Sequence, residues 1–107
     1  MQTRRETMLL LAAGAAFRRA EAVIVETVAT ADATDFPHSA GCRTLTELLE
    51  RTVLTDVGGA TRLIKVVDLV RRPVSLAGER LPSRWPALRE ALLRGDVGVA
   101  GMLAATA

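Results

Sequence analysis

A single histidine, His38, and a single cysteine, Cys42, are the residues of this sequence that most directly suggest metal or nucleophilic chemistry. They stand four apart, but Pro37, Ser39 and Gly41 place a turn around them. No second pair supplies the three or four ligands that a zinc site needs. Ser39 adjoins His38, yet sequence neighbours do not form a nucleophile–base pair, and no acid is placed to orient the imidazole. Gly58-Gly59 has only a superficial likeness to a phosphate-cradling loop, because no strand precedes it and no Lys-Ser/Thr follows in register. With neither Tyr nor Asn in the chain, the expectation is a non-catalytic protein with no metal, no cofactor and no small-molecule substrate. The lone thiol also excludes a disulfide scaffold.

The other chemistry on offer is positive charge. Across 107 residues, 14 Lys and Arg face 12 Asp and Glu, a net charge of +2, too even for the whole chain to read as a nucleic-acid binder. The distribution says more. Residues 62–94 hold eight cations (Arg62, Lys65, Arg71, Arg72, Arg80, Arg84, Arg89 and Arg94) against Asp68, Glu79 and Glu90. Arg62, Lys65, Arg71 and Arg72 are the candidate contacts to double-stranded DNA, with Arg84, Arg89 and Arg94 as a second basic rim. All cations but Lys65 are arginine, the better phosphate fork, although a GC-rich genome writes the same bias everywhere and a solvated basic face is the bland alternative.

The elements that must position these residues read as helices. Half the chain is apolar and only 3% is aromatic; the abundance of Ala, Leu and Val favours thin, closely packed helices, hence an all-α fold. Residues 2 to about 31 lack proline and repeat apolar positions at helical spacing (Leu9, Ala12, Ala16, Ala20, Val23), which predicts one long amphipathic helix, softened at Gly14 by roughly 1 kcal/mol. Thr3-Arg4-Arg5 ahead of the uncharged run Thr7 to Phe17 also has the layout of an export signal. That run is shorter than the roughly 20 residues of a membrane span. Glu6 and Thr7 behind the arginines, the lack of a clean cleavage site and the pattern continuing through Arg18-Arg19 favour a helix of a cytoplasmic protein without a membrane partner.

Asp32 to Gly41 reads as a break. Thr44-Leu45-Thr46-Glu47 is a capping box opening a second helix with Leu45, Leu48, Leu49 and Val53 inward. After a turn at Leu54-Thr55-Asp56, a third helix is predicted from Val57 to Arg72, with Ala60, Leu63, Ile64, Val67 and Val70 inward and Pro73 ending it. Residues 73–83 read as an irregular connector or a small hairpin turning at Ala77-Gly78. A fourth helix is expected from Trp85-Pro86 to Arg94, capped by Gly95, and a fifth over Val97 to Ala107, where Gly98, Ala100, Gly101 and Ala104 permit close approach. The division is thus a helix over 1–31, a linker over 32–43 and a helical segment over 44–107. Two stretches have the cadence of a helix-turn-helix: 44–72, which would offer Thr55, Thr61, Arg62 and Lys65 to a groove, and 86–106, turning at Gly95-Asp96-Val97. Nothing basic follows Arg94, so the second points to a core or a protein partner; such helix pairs are also the commonest unit of any helical domain.

The stretch 40–51 (Ala-Gly-Cys-Arg-Thr-Leu-Thr-Glu-Leu-Leu-Glu-Arg), then Arg72-Pro73, then 81–107 (Leu-Pro-Ser-Arg-Trp-Pro-Ala-Leu-Arg-Glu-Ala-Leu-Leu-Arg-Gly-Asp-Val-Gly-Val-Ala-Gly-Met-Leu-Ala-Ala-Thr-Ala) resembles the N-terminal part of the domain of unknown function 222 family. That helical region lies upstream of HNH nuclease modules. The resemblance covers roughly residues 40–107 well and the first helix loosely. It implies a DNA-associated protein whose chemistry would lie in a downstream HNH module, and no catalytic residue can be carried over to this chain. The expected role is therefore to position a nuclease on DNA, as a segment truncated at its C-terminus, with a missing helical or HNH portion or a second copy completing its packing. The alternative is a protein–protein interaction or oligomerisation module, using the first and last helices, that binds no nucleic acid.

Overall fold

Thr3 opens the longest helix: its Oγ1 accepts the Glu6 N–H at 3.4 Å, and the Glu6 carboxylate accepts the Thr3 N–H at 2.9 Å. This reciprocal cap satisfies two donors that a helix start otherwise leaves orphaned. The computed structural model describes residues 3–31 and 35–107. Among them the fold is all-α, with helices α1 (Arg4–Thr30), α2 (Asp35–Ser39), α3 (Leu45–Val53), α4 (Val57–Val70), α5 (Pro86–Arg94) and α6 (Val99–Thr106). No helix of these residues is long and apolar enough to cross a membrane.

The core gathers around α4, which packs on α1, α3, α5 and α6. Its inward residues Ala60, Val66, Val67 and Val70 are buried together with Val25 of α1, Leu92 of α5 and Met102 of α6. Small and β-branched side chains on α4 let four neighbours approach one helix, as the Ala- and Val-rich composition predicts. The final helix is thus a core element: Val99 and Met102 are buried, and Leu103 packs against them.

Local signals explain most boundaries. Thr44 Oγ1 accepts the Glu47 N–H at 3.2 Å, while the Glu47 carboxylate accepts the Arg43 N–H at 3.3 Å in place of the Thr44 N–H, so one half of the expected capping box forms. Asp56 Oδ1 accepts the Gly59 N–H at 2.7 Å. Gly95 ends α5 in the left-handed region at φ 80°, where a side chain is disfavoured. Leu54 ends α3 in the same region at φ 58°, a conformation that costs a non-glycine residue about 1 kcal/mol. The connector is a small hairpin, with an antiparallel bridge between Val74 and Arg80 and a turn at Gly78, φ 89°.

Three boundaries differ from expectation. The break after α1 contains the short helix α2, braced by Ser39 Oγ donating to the Asp35 carbonyl at 2.9 Å, with Pro37 in its first turn, where the missing N–H costs nothing; positions 32–34 of that break lie outside the described residues. α4 stops at Val70, because Arg72 precedes Pro73 and the ring disfavours helical backbone there; Arg71 is already extended. α6 begins at Val99 because its start is capped from elsewhere. Glu21 of α1 accepts the Val99 N–H at 3.1 Å.

α1 divides into two unlike halves. Its second half enters the core through Ala22, Val25 and Val28, so α1 shares the core of the later helices. Its first half stands off the body, and Met8, Leu9, Leu10 and Leu11 remain between 59% and 71% exposed. A helix of 27 residues is about 40 Å long at 1.5 Å per residue. The projecting half stretches the molecule to 58 × 32 × 21 Å and its radius of gyration to 15.8 Å, where a compact chain of this length measures about 13 Å.

Candidate functional site

The seven cations expected to contact DNA separate into three groups. Arg89 is built into the body: its Nη2 meets both Glu26 carboxylate oxygens at 3.1 and 3.2 Å, and its Nε–H donates to the Val70 carbonyl at 3.2 Å. It therefore ties α5 to α1 and to the C-terminal end of α4. Arg72 is likewise engaged, its Nε–H donating to the Leu81 carbonyl at 3.0 Å and its Nη2 to the Arg80 carbonyl at 3.1 Å, which closes the hairpin base. The two arginines share a cleft of about 190 Å³ with Ser83 and Glu90.

Arg94 and Arg71 make exposed ion pairs. Arg94 meets Asp96 at 3.0 Å and Glu90 at 3.7 Å, and Arg71 meets Asp68 at 3.9 Å; such pairs contribute about 0–1 kcal/mol and leave the charge accessible. Arg62, Lys65 and Arg84 are exposed and form no ion pair among the described residues. Arg62 and Lys65 share the outer face of α4, three residues apart. Arg84 lies over the Trp85 ring at 5.5 Å, a cation–π distance.

The residues of possible catalytic type do not assemble. His38 is exposed and Cys42 buried, and no group of three His, Cys, Asp or Glu among the described residues could hold a metal ion. Gly59 serves packing, since a side chain there would collide with Thr55 Oγ1. Asp56 caps the same helix start and brings negative charge where a phosphate would have to sit.

Two interacting residues of α1 were invisible in local sequence. Arg18 donates through Nε–H to the Gly95 carbonyl at 2.7 Å, one turn before Glu21 caps α6. Together they clasp the α5–α6 turn. Gly98 permits this approach, because a β-carbon there would lie 2.5 Å from Glu21 Oε1.

Beside this clasp lie two grooves with largely apolar linings. One groove of about 410 Å³ runs between α1, α2 and α3, lined by Ile24, Thr27, Phe36, Leu49 and Val53 among others. A second, of about 360 Å³, continues past Val53 to Leu54, Phe17 and Ala20, with Glu21, Thr55 and Arg62 as its polar edge. Ile24 and Val53 line both, so the two form one continuous trough along α1. Its upper end opens at Phe17, where the exposed half of α1 begins. No family model, curated protein or solved structure matches the chain.

Proposed function

We propose that this protein is a non-catalytic helical module that acts by docking, with the first half of α1 as the surface it offers to another polypeptide. The carrying observation is that residues 8–13 are apolar on every side of the helix and exposed on every side. A helix apolar all round is ordinarily a buried helix, and exposed patches of this kind mark interaction sites. A photo-reactive amino acid at Leu10 tests the reading in cells producing the full chain. A discrete cross-linked adduct is expected from position 10 and none from a control at Arg80 in the exposed hairpin; absence of an adduct at position 10 overturns it.

A second reading places the protein on DNA as the positioning partner of an HNH nuclease. It is supported by the resemblance of residues 40–107, read from the sequence, to the domain of unknown function 222 family and by Arg62, Lys65 and Arg84, which form no ion pair among the described residues. On a generic duplex at low salt, fluorescence anisotropy should show binding that falls steeply as salt rises. Arg62→Ala/Lys65→Ala should flatten the slope of log affinity against log salt by about 2, one unit per lost phosphate contact. Identical curves for the variant and the wild type remove these two residues from any DNA interface.

A further inference from the structure

Resting on the docking reading, we infer that the occupant of this surface is a second copy of the chain, paired antiparallel through α1. Leu10, Ala13, Phe17, Ala20, Ile24 and Thr27 fall at alternating spacings of three and four residues, a heptad stripe that continues from the exposed half of the helix into its packed half. The body is centred on the adjoining side, that of Ala22, Val25 and Val28, and of the stripe Ile24 packs partly against the core while Ala20 and Thr27 stay exposed. In the packed half, Ala20, Ile24 and Thr27 of the stripe line the trough beside α3, and Phe17 of the exposed half borders its end.

A two-fold axis between residues 18 and 19 sets Leu10 opposite Thr27, Ala13 opposite Ile24 and Phe17 opposite Ala20 of the other copy. Every pair joins a larger side chain to a smaller one, the complementarity that lets two helices close without a void. The axis also lies where the two halves of α1 meet, so each exposed arm covers the other copy's trough. Isologous pairing of this kind satisfies both surfaces with one contact and closes on itself.

The areas agree with a stable dimer. An arm of 14 residues is about 21 Å long and 10–12 Å across, hence about 700 Å² in lateral surface. Seating half of it on the partner, and receiving the partner's arm in return, removes about 700 Å² per copy, against about 800 Å² for a standard interface. Two further observations favour this partner. Arg4 and Arg5 come to the C-terminal end of the opposing α1, whose last turn holds no basic residue, so they complement its negative dipole end. Leu54, 85% exposed in a left-handed conformation, lies in the trough, where the arriving arm covers it.

Sedimentation equilibrium of the full chain, from micromolar upward, tests the pairing. A dimer is expected, with Leu10→Glu weakening it at least tenfold while the far-ultraviolet circular dichroism stays unchanged, since Leu10 lies outside the core. The melting temperature of the wild type should rise with concentration more than that of the variant. Register is read with Ala13→Cys and Ile24→Cys variants in a Cys42→Ala background. A disulfide-linked dimer should form in the mixture and in neither variant alone. A strict monomer, or a dimer indifferent to Leu10→Glu, overturns the inference. So does a monomer that co-sediments with anionic phospholipid vesicles. If the chain is monomeric while the cross-linker at Leu10 captures a polypeptide of another mass, self-pairing fails and the docking reading stands; if nothing is captured, both fail.

Discussion

Leu92→Ala is expected to lower the unfolding free energy by about 2–5 kcal/mol, the cost of lost burial plus the cavity left by an incompletely relaxing core. Leu92 is 0% exposed and sits on α5, the helix that joins α1, α4 and α6. The neighbours are helices held apart by their own backbones, so collapse into the vacated space is limited and the upper half of the range applies. Domains of this size hold only about 5–15 kcal/mol in total. At about 4–8 °C per kcal/mol, the melting temperature should fall by more than 10 °C. Urea titration is the check, with the midpoint reduced and the slope unchanged. Leu76→Ala, at the fully exposed tip of the hairpin, should stay within about 0.5 kcal/mol of wild type. Equal losses from the two variants would contradict the assignment of the core to the α4 surroundings.

How much of this was legible in the sequence depends on the distance between interacting residues. Pro86 at the start of α5, Gly95 at its end and the Thr44 cap are local rules, and the structure follows them. Glu21 capping Val99 spans 78 residues, and Arg89 reaching Glu26 spans 63; neither pattern has a local trace, because the geometry that unites them is made by helix packing. Periodicity also failed to distinguish the halves of α1. A repeat of apolar residues fixes helical structure but, where every side is apolar, as over residues 8–13, it does not say which side is covered or by what. Leu54 shows the converse limit. The turn between α3 and α4 lacks the customary glycine, and the chain adopts the left-handed conformation there with a leucine.

The same distinction between charge counted in sequence and charge placed in space governs Arg89. Its side chain is 23% exposed and that of Glu26 is 34% exposed, so the pair lies between a surface ion pair, contributing about 0–1 kcal/mol, and a buried one, whose rupture costs about 3–5 kcal/mol. Arg89→Ala should therefore destabilise the fold by about 2 kcal/mol, leaving Glu26 half-buried without its partner and the Val70 carbonyl without its donor. Arg89→Lys restores a charge but not the fork that serves Glu26 and Val70 together, so it should recover only part of the loss. A double-mutant cycle with Glu26→Ala isolates the pairwise contribution, expected at about 1 kcal/mol. Arg62→Ala, on the open face of α4, should leave stability within about 0.5 kcal/mol. If Arg89→Ala proved as neutral as Arg62→Ala in chemical denaturation, the tie between α1 and α5 would be refuted and Arg89 would return to the accessible cations. The expected opposite result removes it from the basic rim, because its guanidinium is already spent on holding three helices together.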